Sequence, residues 1–148
     1  MELQTKLGHT VDASSVEGKL HALYFGADWC GDCQRFLPVL KDFYQRINAK
    51  EKRLEVIFIG SNRSEEEDLI DFQKHESWLR LVFNSPFRTT LKQIYNVCAK
   101  AEEVDLNISD RKSGIPCVII VDAKGHLVDF NGVNTIEQFG ESAFDRWK

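Results

Sequence analysis

The chain has 148 residues, 43% of them hydrophobic and 28% charged, enough to bury one core, so a single domain over residues 1–148 is expected. Its 19 Lys and Arg against 23 Asp and Glu leave a net charge of −4, with no basic excess to neutralise a phosphate backbone, so nucleic acid is not an expected partner. No apolar run approaches the roughly 20 residues that span a bilayer, and Met1-Glu2-Leu3-Gln4-Thr5-Lys6 lacks the apolar stretch of a secretory signal, so the expectation is no membrane and a cytoplasmic or nuclear location.

The predicted elements begin with weak strands, around turns at Gly8-His9-Thr10-Val11-Asp12 and Glu17-Gly18-Lys19. Leu20-His21-Ala22-Leu23-Tyr24-Phe25 is an apolar and aromatic run closed by Gly26, the pattern of a buried strand. After Cys30 the period turns helical, with Phe36, Leu37, Leu40, Phe43, Tyr44 and Ile47 on one face and Pro38 inside as an expected kink. Leu54-Glu55-Val56-Ile57-Phe58-Ile59 predicts a second buried strand. Ser64-Glu65-Glu66-Glu67 then caps a helix whose apolar side is read as Leu69, Ile70 and Phe72. The Arg63 to Asp68 charges read as a solvated helix start, and Phe72, Trp78, Phe83 and Phe87 as core and rim under that helix.

Beyond Pro86, Leu91, Ile94, Tyr95 and Val97 suggest a short helix, and residues 98–113 a long polar, irregular loop. Cys117-Val118-Ile119-Ile120-Val121 is a third buried strand. The tight turn Asp122-Ala123-Lys124-Gly125 makes the following Leu127-Val128-Asp129-Phe130 antiparallel to it. Asn134 is the expected cap of a last helix carrying Ile136, Phe139, Ala143, Phe144 and Trp147. A right-handed β-α-β unit followed by a hairpin and a helix makes an α/β sandwich.

The chemistry concentrates in Trp29-Cys30-Gly31-Asp32-Cys33, where a strand ends and a helix begins. Unpaired N–H groups and a partial positive charge at a helix N-terminus stabilise a thiolate, so Cys30 is the expected nucleophile with a depressed pKa. Cys33, one turn in and more buried, can close an intramolecular disulfide and resolve a mixed one. Four cysteines without a secretory signal point to catalysis, metal binding or burial before a disulfide framework. The bland alternative is a zinc half-site; Cys98, Cys117, His75 and His126 are available as further ligands, but none forms a second close pair. None of the histidines is assigned a catalytic role, and Cys117 reads as a small buried hydrophobe.

Trp-Cys-x-x-Cys after a strand, Pro38 five residues beyond Cys33, and Ser113-Gly114-Ile115-Pro116 before a strand together resemble the thioredoxin superfamily, and within it the tryparedoxin and nucleoredoxin-like group. Ala22 to Cys30, Phe36 to Tyr44, Glu55 to Ile59, Asn62 to Glu67 and Trp78-Leu79 extend the likeness along nearly the whole chain. The resemblance implies a thioredoxin-like three-layer α/β/α sandwich with a mixed central sheet and an N-terminal β extension. It implies Cys30 as the attacking and Cys33 as the resolving cysteine of a redox-active disulfide. It also implies a substrate-docking surface from Trp29, Gly31 and Asp32, with Pro116 as a cis proline whose neighbour Ile115 pairs its backbone to an extended partner.

Three positions differ from thioredoxin proper. Tyr24 stands where a buried Asp is usual, Asp32 replaces a Pro, and Cys117 follows Pro116 in place of Thr. A carboxylate at Asp32 opposes thiolate charge, which points to a reductant. The expected function is a protein-disulfide reductase, monomeric and without cofactor or metal, that supplies electrons to disulfide-containing proteins such as a peroxidase. Glutathione, trypanothione or a thioredoxin system would be its upstream thiol reductant. The alternative is a redox-sensing interaction protein with little turnover, and residues 98–113 are expected to flank the cis proline and tune partner choice.

Overall fold

In the computed structural model the described residues are 1–16 and 20–148, so the turn expected at Glu17-Gly18-Lys19 lies outside them. The strands are β1 (Glu2–Gln4), β2 (Thr10–Asp12), β3 (Leu20–Gly26), β4 (Leu54–Gly60), β5 (Leu79–Leu81), β6 (Cys117–Val121) and β7 (Leu127–Asp129). They form one seven-stranded sheet in the order β2-β1-β5-β4-β3-β6-β7. β3, β4 and β5 run parallel, while β6, β7, β1 and β2 join antiparallel, which makes the sheet mixed. The β1–β2 hairpin is the expected N-terminal extension, docked on β5. β5 itself was not expected, because three residues with Arg80 in the middle carry no strand pattern.

Alternation along the strands divides the core in two. Ala22 and Tyr24 of β3 point to one face with Val56, Phe58, Val118 and Ile120, whereas Leu23 and Phe25 point to the other with Ile57, Ile59, Cys117 and Ile119. The first face is covered by α1 (Gly31–Ile47) through the six apolar residues expected of it, and α1 continues through the exposed Pro38.

Three helices depart from the sequence reading. In α2 (Glu65–Gln73) the residues turned inward are Asp68, Asp71 and Phe72, while Leu69 and Ile70 are 39% and 52% exposed. Asp68 therefore does not belong to a solvated helix start; it is 1% exposed and ion-paired with the buried Arg80 at 2.9 Å. In α3 (Pro86–Tyr95) the buried residue is Lys92, and Ile94 is 66% exposed. Phe87 is exposed on the same helix and contributes no core. Asn134 lies inside α4 (Gly132–Phe139), whose cap position is Asn131. Gly140, at φ 56°, then breaks the α geometry, and Ala143, Phe144 and Trp147 sit on a separate 3₁₀ segment, Gly140–Trp147. α4 lies so close to β6 that a Cβ on Gly132 would come 2.6 Å from the Val118 carbonyl oxygen.

Candidate active site

β3 and β4 end in register at Gly26 and Gly60, so the segments leaving them run side by side at the carboxyl ends of the parallel strands. In open α/β sheets this edge is where ligands are met. One segment carries Trp29-Cys30-Gly31-Asp32-Cys33, the other Ser61-Asn62-Arg63. They are stitched together: Ser61 N–H donates to the Gly26 carbonyl at 2.8 Å, Asp28 N–H to Asn62 Oδ1 at 2.9 Å, and the Trp29 indole N–H to the Ser61 carbonyl at 3.0 Å.

Cys30 is the N-cap of α1, and its sulfur accepts the Cys33 N–H at 3.2 Å. The position leaves Cys30 half-buried and Cys33 fully buried, and all four cysteines are free thiols. Burial is the main cause that pushes the Cys33 thiol far above its ordinary value; the hydrogen bond and charge interaction with Cys30, and the Asp71 charge, push the same way, against a backbone hydrogen bond at Ala27. Cys30 is thus the sulfur a partner can reach, and Cys33 keeps its proton until a reaction moves it. Asp32 pairs with Arg35 on the exposed flank, so its carboxylate has its own cation.

The Ile115–Pro116 peptide bond is cis, as the resemblance implied, and the Ile115 carbonyl oxygen faces the Cys30 thiol at 3.9 Å. Trp29, 39% exposed, lies beside the pair with the Arg63 guanidinium 5.1 Å from its ring centre. All the residues expected at the site therefore converge: Trp29, Cys30, Gly31, Asp32 and Cys33 by adjacency, Ile115 and Pro116 across the sheet. Cys117 follows Pro116 directly but is buried, as are Cys98 and His75, and His126 is exposed. Among the described residues, no group of three or more His, Cys, Asp or Glu could hold a metal ion. Burial raises the Cys98 thiol and pushes the Cys117 thiol up to about 11.

Beneath the motif lies a buried polar network that the sequence reading missed. Asn62 Nδ2 donates to Asp68 Oδ1 at 2.9 Å and to Asp71 Oδ2 at 3.1 Å, and Arg80 reaches from Asp68 to Gln4 Oε1 at 2.8 Å. Trp78 Nε1–H meets His75 Nδ1 at 3.1 Å, and an indole nitrogen can only donate; the His75 proton therefore sits on Nε2, which faces Asp71 Oδ1 at 3.2 Å. Tyr24, at 5.7 Å between ring centres from His75, is held protonated first by burial and then by the charges of Cys33, Asp71 and Cys30. The available signal was the spacing of Asp68, Asp71, Phe72 and His75, one helical stripe filled mostly with polar residues.

The family whose sequence profile matches the chain, over residues 18–127, is described as Thioredoxin-like. The chain belongs to the thioredoxin-like family. This thioredoxin-like chain is 34% identical over 138 residues to probable nucleoredoxin 1 of Arabidopsis thaliana, which covers 93% of the chain and 21% of that protein. It is 26% identical to human nucleoredoxin-like protein 1, over 90% of the chain and 58% of that protein. The chain thus spans about a fifth of the plant relative and under two thirds of the human one. Among solved structures, native tryparedoxin I from Crithidia fasciculata superposes with a TM-score of 0.73 at 28% identity, covering 99% of this chain and 91% of that one. Tryparedoxin I from Leishmania major superposes at 0.79 over 100% and 92% of the two chains; its 24% identity speaks for the fold. Nucleoredoxin relatives and tryparedoxin neighbours are the group the motifs resembled.

Proposed function

We propose that the chain reduces protein disulfides by cycling Cys30 and Cys33 between dithiol and disulfide. The observation that carries this reading is the unequal pair at the N-terminus of α1: a reachable Cys30 sulfur accepting the Cys33 N–H, and a buried Cys33 behind it. The Cys30 thiolate attacks one sulfur of a partner disulfide, forms a mixed disulfide and releases the other sulfur as a thiol. Cys33 then loses its proton and attacks the Cys30 sulfur, closing Cys30–Cys33 and releasing the second partner thiol. Two electrons pass from the protein dithiol to the partner. An upstream thiol reductant, either two glutathione molecules or a dithiol of the trypanothione or thioredoxin type, returns them, and a peroxidase is one class of recipient.

Trp29, with Gly31 and Asp32 at the rim, offers the docking surface, and the Ile115 main chain beside Cys30 meets the partner backbone. Reduction of insulin disulfides with dithiothreitol as donor tests the reading. Acceleration by the wild type that is lost in Cys30→Ser supports it. No acceleration by the wild type overturns it in favour of a redox-gated binding protein.

A further inference from the structure

We propose that Glu102 is a positioning residue that sets the Trp29 indole for protein partners, acting through the main chain of Ser61; the partner half of this proposal rests on the dithiol reading above. Residues 98–113 are irregular, as expected, yet Cys98, Ala99 and Ile108 in them are buried, and Lys100–Glu102 forms a 3₁₀ turn. The segment closes on itself, with Cys98 N–H on the Ser113 carbonyl at 3.3 Å and Arg111 on the Cys98 carbonyl at 3.0 Å, and its far end leads through Gly114 and Ile115 into the cis Pro116. Its near end reaches the opposite flank, where Trp29 sits.

There the Glu102 carboxylate is fully engaged. One oxygen accepts the Ser61 hydroxyl at 2.6 Å and the Ala99 N–H at 2.9 Å; the other pairs with Lys92 Nζ at 2.6 Å. Lys92, itself 1% exposed, also donates to the Gly60 carbonyl at 2.9 Å. Arg88 donates to that same carbonyl at 2.8 Å and to the Asn62 carbonyl at 3.1 Å. All three carbonyls of the Gly60–Asn62 turn are therefore occupied, two by cations and the middle one by the Trp29 indole N–H. Glu102 is the anion that holds both Lys92 and the Ser61 side chain. The turn cannot shift without moving the atom on which Trp29 hangs. Charge-assisted bonds of this kind are short and directional, which suits them to fixing a position.

A small disulfide needs only the Cys30 sulfur, whereas a protein disulfide must also pass Trp29. Loss of Glu102 should separate the two. The test uses the pre-reduced full chain, with no donor, and follows the second-order rates with insulin and with bis(2-hydroxyethyl) disulfide by alkylation quench. Acrylamide quenching of Trp29 is read in parallel, since Trp78 and Trp147 are buried and contribute little quenchable signal. Glu102→Gln is expected to slow the insulin reaction roughly five- to tenfold while leaving the small disulfide within about twofold, and to change the quenching. Ser61→Ala, which keeps the Glu102–Lys92 pair and the Ser61 carbonyl, should move both readouts the same way by less. Wild-type insulin rate and quenching in Glu102→Gln overturn the proposal, as does an equal slowing with both disulfides at unchanged quenching, the mark of general destabilisation. A wild type inert toward both disulfides overturns the dithiol reading and the partner half with it, a result distinct from either.

Discussion

Helix α1 meets the sheet through Cys33, Phe36, Leu37, Leu40, Phe43, Tyr44 and Ile47, whereas α2 meets it through Asp68, Asp71 and Phe72. The first contact is almost wholly apolar and non-directional: it stabilises by area removed from water, and it holds the end of α1 that carries the cysteines. The second is directional. Asn62 donates from its amide nitrogen to both α2 carboxylates and accepts the Asp28 N–H on its oxygen, so α2 is fastened to the segment next to Trp29 and Cys30. An apolar face supplies stability and tolerates small shifts; a buried polar face costs desolvation and fixes a position in return. The thioredoxin-like site stands where the two meet.

The polar face is most vulnerable at Asp68. Asp68→Ala takes from the buried Arg80 its close ion-pair partner and leaves only the half-exposed Glu65 carboxylate at 3.8 Å, an expected loss of about 3–5 kcal/mol in chemical denaturation. Burial already pushes the Asp68 carboxyl up, against the pull of Asn62, Arg80 and Arg88. Replacing both partners by apolar residues, Asp68→Leu with Arg80→Met, should therefore recover most of that loss. A double variant as unstable as the single one would show that the pair stabilises beyond its desolvation cost.

On the α1 side, Leu40→Ala should cost about 3 kcal/mol through the cavity it leaves, with the Asn62 contacts untouched. A cost under about 1 kcal/mol would mean that the apolar face is looser than its burial indicates.

The smallest expected effect concerns pH. Burial raises the folded-state pKa of Cys117 from 9.0 to about 11, against a hydrogen bond from Ser113. Its contribution is present in full below pH 9 and is lost as pH climbs from 9 through about 11, approaching about 2.8 kcal/mol at about 1.4 kcal/mol per pH unit. Cys33 is shifted in the same direction, so Cys117→Ala should remove only part of the alkaline loss of stability. Identical stability-against-pH curves for Cys117→Ala and the wild type would contradict the assignment.

What the sequence disclosed follows the same division. Strands β3, β4 and β6 and helix α1 were legible because their buried residues are apolar at the period of the element, and the cysteine motif because it sits where that period changes. The buried face of α2 was not legible. Leu69 and Ile70 look like core residues, yet the stripe that contains Phe72 is completed by Asp68, Asp71 and His75, and only Arg80, Asn62 and Trp78, distant in sequence, make their burial affordable. Lys92 and Glu102 were hidden for the same reason, being charges that neutralise each other across the α3 connection. Gly140 was readable as a glycine but not as the point where the last helix changes form.

The central claim, that Cys30 attacks and Cys33 resolves, is tested most directly by trapping. Cys33→Ser and Cys30→Ser proteins are incubated with oxidised insulin, and the adducts are mapped by mass spectrometry. The account predicts a persistent mixed disulfide through Cys30 in Cys33→Ser and none in Cys30→Ser. An adduct through Cys98 or Cys117, or no adduct with either variant, would contradict it.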